Sequence, residues 1–247
     1  MTGICKFCGQ TKTIIQSHII PKSFYQLKKQ ERYEGVEPHK LFLDTVHFQN
    51  GHKEPLLCKE CDNKLGYLDH YAYRFLFDEV PQLHFNTTLL PGIFTAHLDA
   101  KEFNYNNLKR FFISLVWRAS ICQLIPSSLG AYEKTAFKIL KNEMNDSETL
   151  FVPLIYRKEN NHIVDCIIGI YERNFAGYNQ FCFRFPNYDV MILTDLDSIK
   201  DRLQKQQLQE MFSHKGIIIH KLITPTPLDF KYAYIMTEMH KKYPKHP

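Results

Sequence analysis

The 247-residue sequence contains no run approaching the roughly 18 uncharged apolar residues of a membrane span. Its start, MTGICKFCG, has no basic segment followed by an apolar one, the pattern of a secretory leader. A cytoplasmic protein with no membrane partner is expected. Strong charge bias is also missing: the formal charge of +5 is compatible with a polyanion partner but does not by itself identify one. There is no internal repeat and no low-complexity segment, and 44% hydrophobic residues with 14% aromatics exclude a disordered or fibrous chain. Gly-rich phosphate loops, a G-x-S-x-G elbow, an H-E-x-x-H helix and a dinucleotide fingerprint are all absent, which sets those enzyme classes aside.

What is present is a cysteine pattern. Of seven cysteines, four fall in two C-x-x-C pairs in the first quarter, Cys5/Cys8 and Cys58/Cys61. A C-x-x-C turn presents two thiolates to one ion, and two such turns complete the tetrahedral sulfur shell of structural Zn²⁺. A redox pair would sit at a helix start near a βαβ pattern, and none is visible. The expected metal ligands are therefore Cys5, Cys8, Cys58 and Cys61, closing a small domain over residues 1 to about 75 that cannot build much core alone. Cys122, Cys166 and Cys182 lie in apolar segments and read as core.

The expected fold class is α+β. Residues 1–75 run as knuckle, strand, basic helix after Pro21, long polar loop, second knuckle and helix. Over 76–247, apolar residues at Leu108, Phe111, Phe112, Leu115, Val116, Ala119 and Cys122 keep helical spacing, which predicts an amphipathic helix from Asn107 to Ile125. A second helix is predicted over Tyr132 to Met144. The runs 150–156, 162–171, 178–185 and 188–193 read as an antiparallel meander, followed by a helix over 197–212, a strand over 216–222 and a helix over 228–240.

The order Cys5-x-x-Cys8, then Ser17-His18-Ile19-Ile20-Pro21-Lys22, then Gln49-Asn50-Gly51-x-Lys53-Glu54-x-Leu56-Leu57-Cys58-x-x-Cys61-Asp62-Asn63 resembles the treble-clef HNH endonucleases, the ββα-metal nucleases. More narrowly it resembles a bacterial branch with the SHIIPK and LLCxxC patterns and a later helix carrying a pair like Trp117-Arg118. The likeness covers the first 75 residues well, the long helix loosely, and the remainder not at all.

That resemblance implies a zinc-bound ββα module acting as a metal-dependent phosphodiester hydrolase. It makes His18 the general base and implies a second, catalytic divalent ion, Mg²⁺ or Mn²⁺. Asn50, Asp62 and Asn63 are the further catalytic candidates, with Ser17, Asp62 and Asp69 as candidates for holding the catalytic ion. The implied partner is nucleic acid, DNA foremost, with a homodimer or partner subunit compatible and a role in defence against phage or mobile DNA suggested by the branch. Two positions depart from the family pattern: Ser17 stands where Asp or His is common, and Asp62-Asn63 where the last motif residue is often His or Asn.

Plainer roles stand beside these. Asn50 fits a turn before Gly51, Asp62 fits a helix N-cap, and Asp69 fits a solvated or paired surface acid. Lys53 and Lys64 fit solvated lysines, and Arg118 fits an ion pair between domains better than a phosphate contact. The competing functions are a non-catalytic zinc module that binds nucleic acid or protein, and a regulatory subunit whose α+β half does the work.

Overall fold

A computed structural model describes residues 1–25, 35–36, 51–80, 83–84, 86–87, 93–99, 103–123, 125, 127–145, 149–158, 167–175, 178–185, 187–199 and 216–222. The chain is of mixed α+β class. Strand β1 (Thr2–Ile4) leads through the Cys5–Gly9 knuckle into β2 (Thr11–His18), and a single 3₁₀ turn, Lys22–Tyr25, follows Pro21. The continuation of the expected basic helix lies outside the described residues. After the short β3 (Gly35–Val36) come β4 (Lys53–Cys58), α1 (Lys59–Arg74) and a π-helical turn at Phe75–Glu79. Strands β5 (Asn86–Thr87) and β6 (Ile93–Asp99) precede α2 (Tyr105–Ile121) and α3 (Glu133–Leu140). Strands β7 (Leu150–Lys158), β8 (Ile167–Phe175), β9 (Tyr178–Phe185), β10 (Tyr188–Asp195) and β11 (Gly216–Leu222) complete the described elements.

Two sheets result. The smaller is antiparallel, in the order β1-β2-β4, with a bulge between Ile15 and Gln16 where Gln16 faces Pro55. Proline cannot donate to a ladder, so it is tolerated on an edge strand beside a bulge, which is where Pro55 sits. The larger sheet runs β3-β8-β9-β10-β7-β11-β6-β5.

Only β8-β9-β10 follow the predicted meander. Strand β7 pairs with β10 instead of β8, and the sheet is not antiparallel throughout, because β11 lies parallel to β7 and β3 parallel to β8. Parallel pairing requires a crossover, and β8, β9 and β10 lie between β7 and β11 in sequence. Strand β11 matches the predicted bounds, whereas β6 was not anticipated despite its apolar alternation at Phe94, Ala96 and Leu98. Residues 197–199, at the start of the helix expected over 197–212, are turn and irregular backbone; the rest of that helix and the one expected over 228–240 lie outside the described residues.

Helix α2 starts and stops earlier than predicted. Asn104 caps it, its Oδ1 accepting from the Asn107 N–H at 2.9 Å, and the backbone turns extended at Cys122. It is buried on all sides from Phe111 to Ala119, not along one stripe, because α1, α3 and the large sheet surround it. Helix α3 is shorter than predicted, ending at Leu140 before Asn142 adopts a left-handed φ of 60°.

One hydrophobic cluster runs from Cys5 in the knuckle to Ile219 in β11. Phe7, between the first two cysteines, meets Trp117 edge-on at 5.6 Å and Phe137 at 5.8 Å, while Trp117 stacks on Phe137 at 5.7 Å. The knuckle is thus docked on α2 and α3 by an aromatic trio. Gly51, at φ +75°, lies so close to the Tyr25 ring that an added Cβ would fall 2.5 Å from it, so only glycine fits there.

Trp117→Ala removes the centre of the trio and is expected to destabilise the protein by about 3–5 kcal/mol, measured by denaturant unfolding. A loss below about 1 kcal/mol would show that the trio does not tie the knuckle to α2. A second expectation concerns alkaline pH. The Tyr188 hydroxyl donates to the Leu76 carbonyl, and burial pushes it above its ordinary 10.0. The native state then keeps this proton where the unfolded chain releases it, so its contribution is full below about pH 10 and is lost as pH rises beyond. Tyr188→Phe should make the fall in stability above pH 10 shallower, and an unaltered slope would contradict the assignment.

Candidate metal centre and the His18 end of the small sheet

The four sulfurs of Cys5, Cys8, Cys58 and Cys61 lie within 4.8 Å of one another. Tetrahedral Zn–S bonds of about 2.3 Å require sulfurs about 3.8 Å apart, so the cluster fits Zn²⁺. All four are free thiols, and no disulfide competes for them. The knuckle is shaped by Gly9, whose N–H donates to the Cys5 carbonyl at 2.9 Å and whose φ of 73° suits glycine. Lys6 N–H donates to Leu56 carbonyl at 3.0 Å and Cys58 N–H points at Cys5 Sγ at 3.3 Å, joining the knuckle to β4.

Cys58 occupies the N-cap position of α1 without a side-chain cap, and Cys61 lies one turn into the helix, so both thiols sit at the positive end of the helix dipole. The sulfurs are electrostatically unequal. Burial works to raise the Cys5 thiol, but backbone N–H groups of Cys58, Cys8 and Phe7, with the Cys8 thiol, outweigh it and bring it down to about 6. Burial pushes Cys58 and Cys61 up, with neighbouring sulfurs opposing a further negative charge on Cys61. Four crowded sulfurs cannot all be thiolates without a cation, and a divalent metal removes the conflict while releasing protons. Glu60, 3.7 Å away, and then the cluster sulfurs hold the Lys12 ammonium above its ordinary value.

His18 is the last residue of β2, opposite Lys53 of β4, and its Nε2 is buried. Ser17, one residue earlier, faces Glu54 in the ladder. Successive strand residues point to opposite faces, and the fully buried Ser17 hydroxyl has no hydrogen-bond partner among the described residues. On that side Glu54 accepts from Cys122 Sγ at 2.9 Å and from Gln123 N–H at 3.0 Å, fastening β4 to the end of α2.

Asp62 lies in the first turn of α1, beyond the cap position. It is half-buried, and Asn63 is exposed. Asp69, two turns further on, is on the same side, since the Asp62 charge reaches it. Both oxygens of Asp69 are held by Arg118, Nη1 donating to Oδ2 at 3.1 Å and Nη2 to Oδ1 at 2.7 Å. Burial pushes the Asp69 carboxyl up, against the pull of that guanidinium. Arg118 is thus in the ion pair its sequence context favoured. Its Nη1 also donates to the His18 carbonyl at 3.1 Å.

Asn50 lies outside the described residues. Sequence reasoning missed Glu54 and Ser114; the i, i+4 spacing of Ser114 to Arg118 was the available sign for the second, and for the first an acid two residues before Leu56, on the same face of the strand. Among the described residues the four cysteines are the only group of three or more His, Cys, Asp and Glu side chains that converge on a common point. No described helix is long and apolar enough to cross a membrane. No family model, curated protein or solved structure matches this chain.

The purified protein is expected to carry about one zinc per chain by elemental analysis. At free zinc 100-fold above Kd the metal contributes about 2.7 kcal/mol, so a chelator should lower Tm by roughly 5–10 °C, and Cys58→Ser should do so without one. A zinc-free protein whose Tm ignores the chelator would remove the metal centre.

Proposed function

We propose that this protein is a metal-dependent endonuclease of the HNH, ββα-metal type, hydrolysing phosphodiester bonds of nucleic acid with His18 as general base. The observation that carries the reading is the unit β2–β4–α1: an antiparallel strand pair and a helix, stapled at one end by the cysteine cluster, with His18 at the end of β2. In this reading residues 1–75 are the catalytic module, resting on the helices and large sheet of 76–247. DNA is the foremost substrate, and action against phage or mobile DNA is the role the motif resemblance suggests.

The imidazole of His18 takes a proton from water as the oxygen attacks phosphorus, and the P–O bond opposite breaks. Asp62, with the Asn63 amide beside it, is the group left to hold Mg²⁺ or Mn²⁺, since Arg118 occupies both Asp69 oxygens and Ser17 is fully buried, one residue from His18 along β2 and so on the opposite face. When bound, such an ion would supply charge stabilisation at the phosphate. One observation favours the alternative, a non-catalytic zinc-stabilised module that binds nucleic acid or protein: of the three residues considered for the catalytic ion, Asp69 is held by Arg118 and Ser17 is fully buried, which leaves Asp62.

Plasmid, linear duplex, single-stranded DNA and RNA are offered to wild type and His18→Ala, with Mg²⁺ or Mn²⁺ and with EDTA. The expected outcome is ion-dependent cleavage by wild type and a rate about 10²–10⁴-fold lower in His18→Ala, with zinc content unchanged. Zinc-loaded wild type that cleaves none of these substrates would replace the nuclease reading with the binding module.

A further inference from the structure

We infer that Arg118 is a positioning residue for His18, fixing the peptide that aims the imidazole; the inference rests on the reading of His18 as the base. The peptide linking His18 to Ile19 is held at both polar ends. Its carbonyl accepts from Arg118 Nη1 at 3.1 Å, and its N–H donates to the His52 carbonyl at 3.1 Å. With that plane fixed at the point where β2 ends, the backbone dihedrals of His18 are set, and so is the direction of its Cα–Cβ bond.

The guanidinium is itself immobile. Its side chain is 3% exposed, and all three nitrogens are engaged. Nε donates to the Ser114 carbonyl at 3.2 Å, Nη2 to Ser114 Oγ at 3.2 Å and to Asp69, and Nη1 is shared between Asp69 and His18. Ser114 Oγ donates in turn to the Phe111 carbonyl at 2.7 Å, which turns a lone pair toward the arginine. One planar group therefore connects α2, α1 and the end of β2, and 100 residues separate it from the histidine in sequence.

A lysine would preserve charge compensation of Asp69, but its single nitrogen cannot reproduce the fork. That separates positioning from a purely structural ion pair. A displacement of about 1 Å at a catalytic group costs on the order of 10²-fold in rate.

The test compares full-length, zinc-loaded wild type, Arg118→Lys and Ser114→Ala by cleavage kinetics and by the Cε1–H NMR resonance of His18, assigned with His18→Gln. Arg118→Lys is expected to keep zinc and KM while kcat falls about 10–100-fold and the His18 resonance moves or broadens. Ser114→Ala, which removes one support of the fork, should move the same resonance with a loss of about fivefold. Zinc-loaded Arg118→Lys with wild-type kcat and an unmoved His18 resonance overturns the inference. Should Arg118→Lys fail to hold zinc, Ser114→Ala decides, and an unmoved resonance there overturns it. If wild type cleaves nothing, the nuclease reading falls separately, and the resonance in Arg118→Lys alone decides: moved supports positioning, unmoved refutes it.

Discussion

Four sulfurs brought within 4.8 Å are the constraint on which the N-terminal architecture depends. Two come from a knuckle stabilised by Gly9 and two from the junction of β4 with α1, so the cluster ties together segments separated by the long 26–50 connection. Cys58 is the N-cap of α1 and Cys61 lies in its first turn, so a cation held by the cluster would anchor the start of that helix. Because α1 is a regular helix, its starting point dictates which side Asp62 and Asp69 occupy two turns apart. The knuckle is coupled to the rest of the molecule through Phe7, which lies against Trp117 and Phe137. The candidate metal centre and the core are thus joined in one small loop.

The second organising element is α2, a helix buried all round that nevertheless carries Lys109, Ser114 and Arg118. Buried charge is expensive unless paired, and an apolar replacement is often equally stable. Here the polar groups connect elements that hydrophobic contact alone would leave free to slide. Arg118 spans α1 and the end of β2, while the Cys122 thiol and Gln123 N–H at the end of α2 hold Glu54 of β4. We interpret this polar seam as a source of specificity, giving β2 and β4 one register against α2.

Local chemistry was read well where one short stretch of chain suffices. The two C-x-x-C turns, β11 and the apolar spacing of α2 follow from patterns within a few residues, because turn geometry and helical periodicity are local properties. Boundaries were less legible: α2 ends at Ile121 where the backbone turns extended, and β6 was overlooked although its alternation was present. The order of the large sheet was not legible, since pairing between β7 and β11 depends on a crossover between distant segments.

By itself, then, the sequence determined that two C-x-x-C turns would be able to share a metal, that a strand would follow the first of them, and that a long amphipathic helix would come later in the chain. Tertiary structure alone decided what surrounds His18. That Asp69 is bound by Arg118 and not left open, that Ser17 faces Glu54, and that the His18 carbonyl is held from α2 are contacts between residues many tens of positions apart. Their geometry is set by how α1 and the small sheet pack on α2, and residue spacing along the chain carries no information about such an angle of packing.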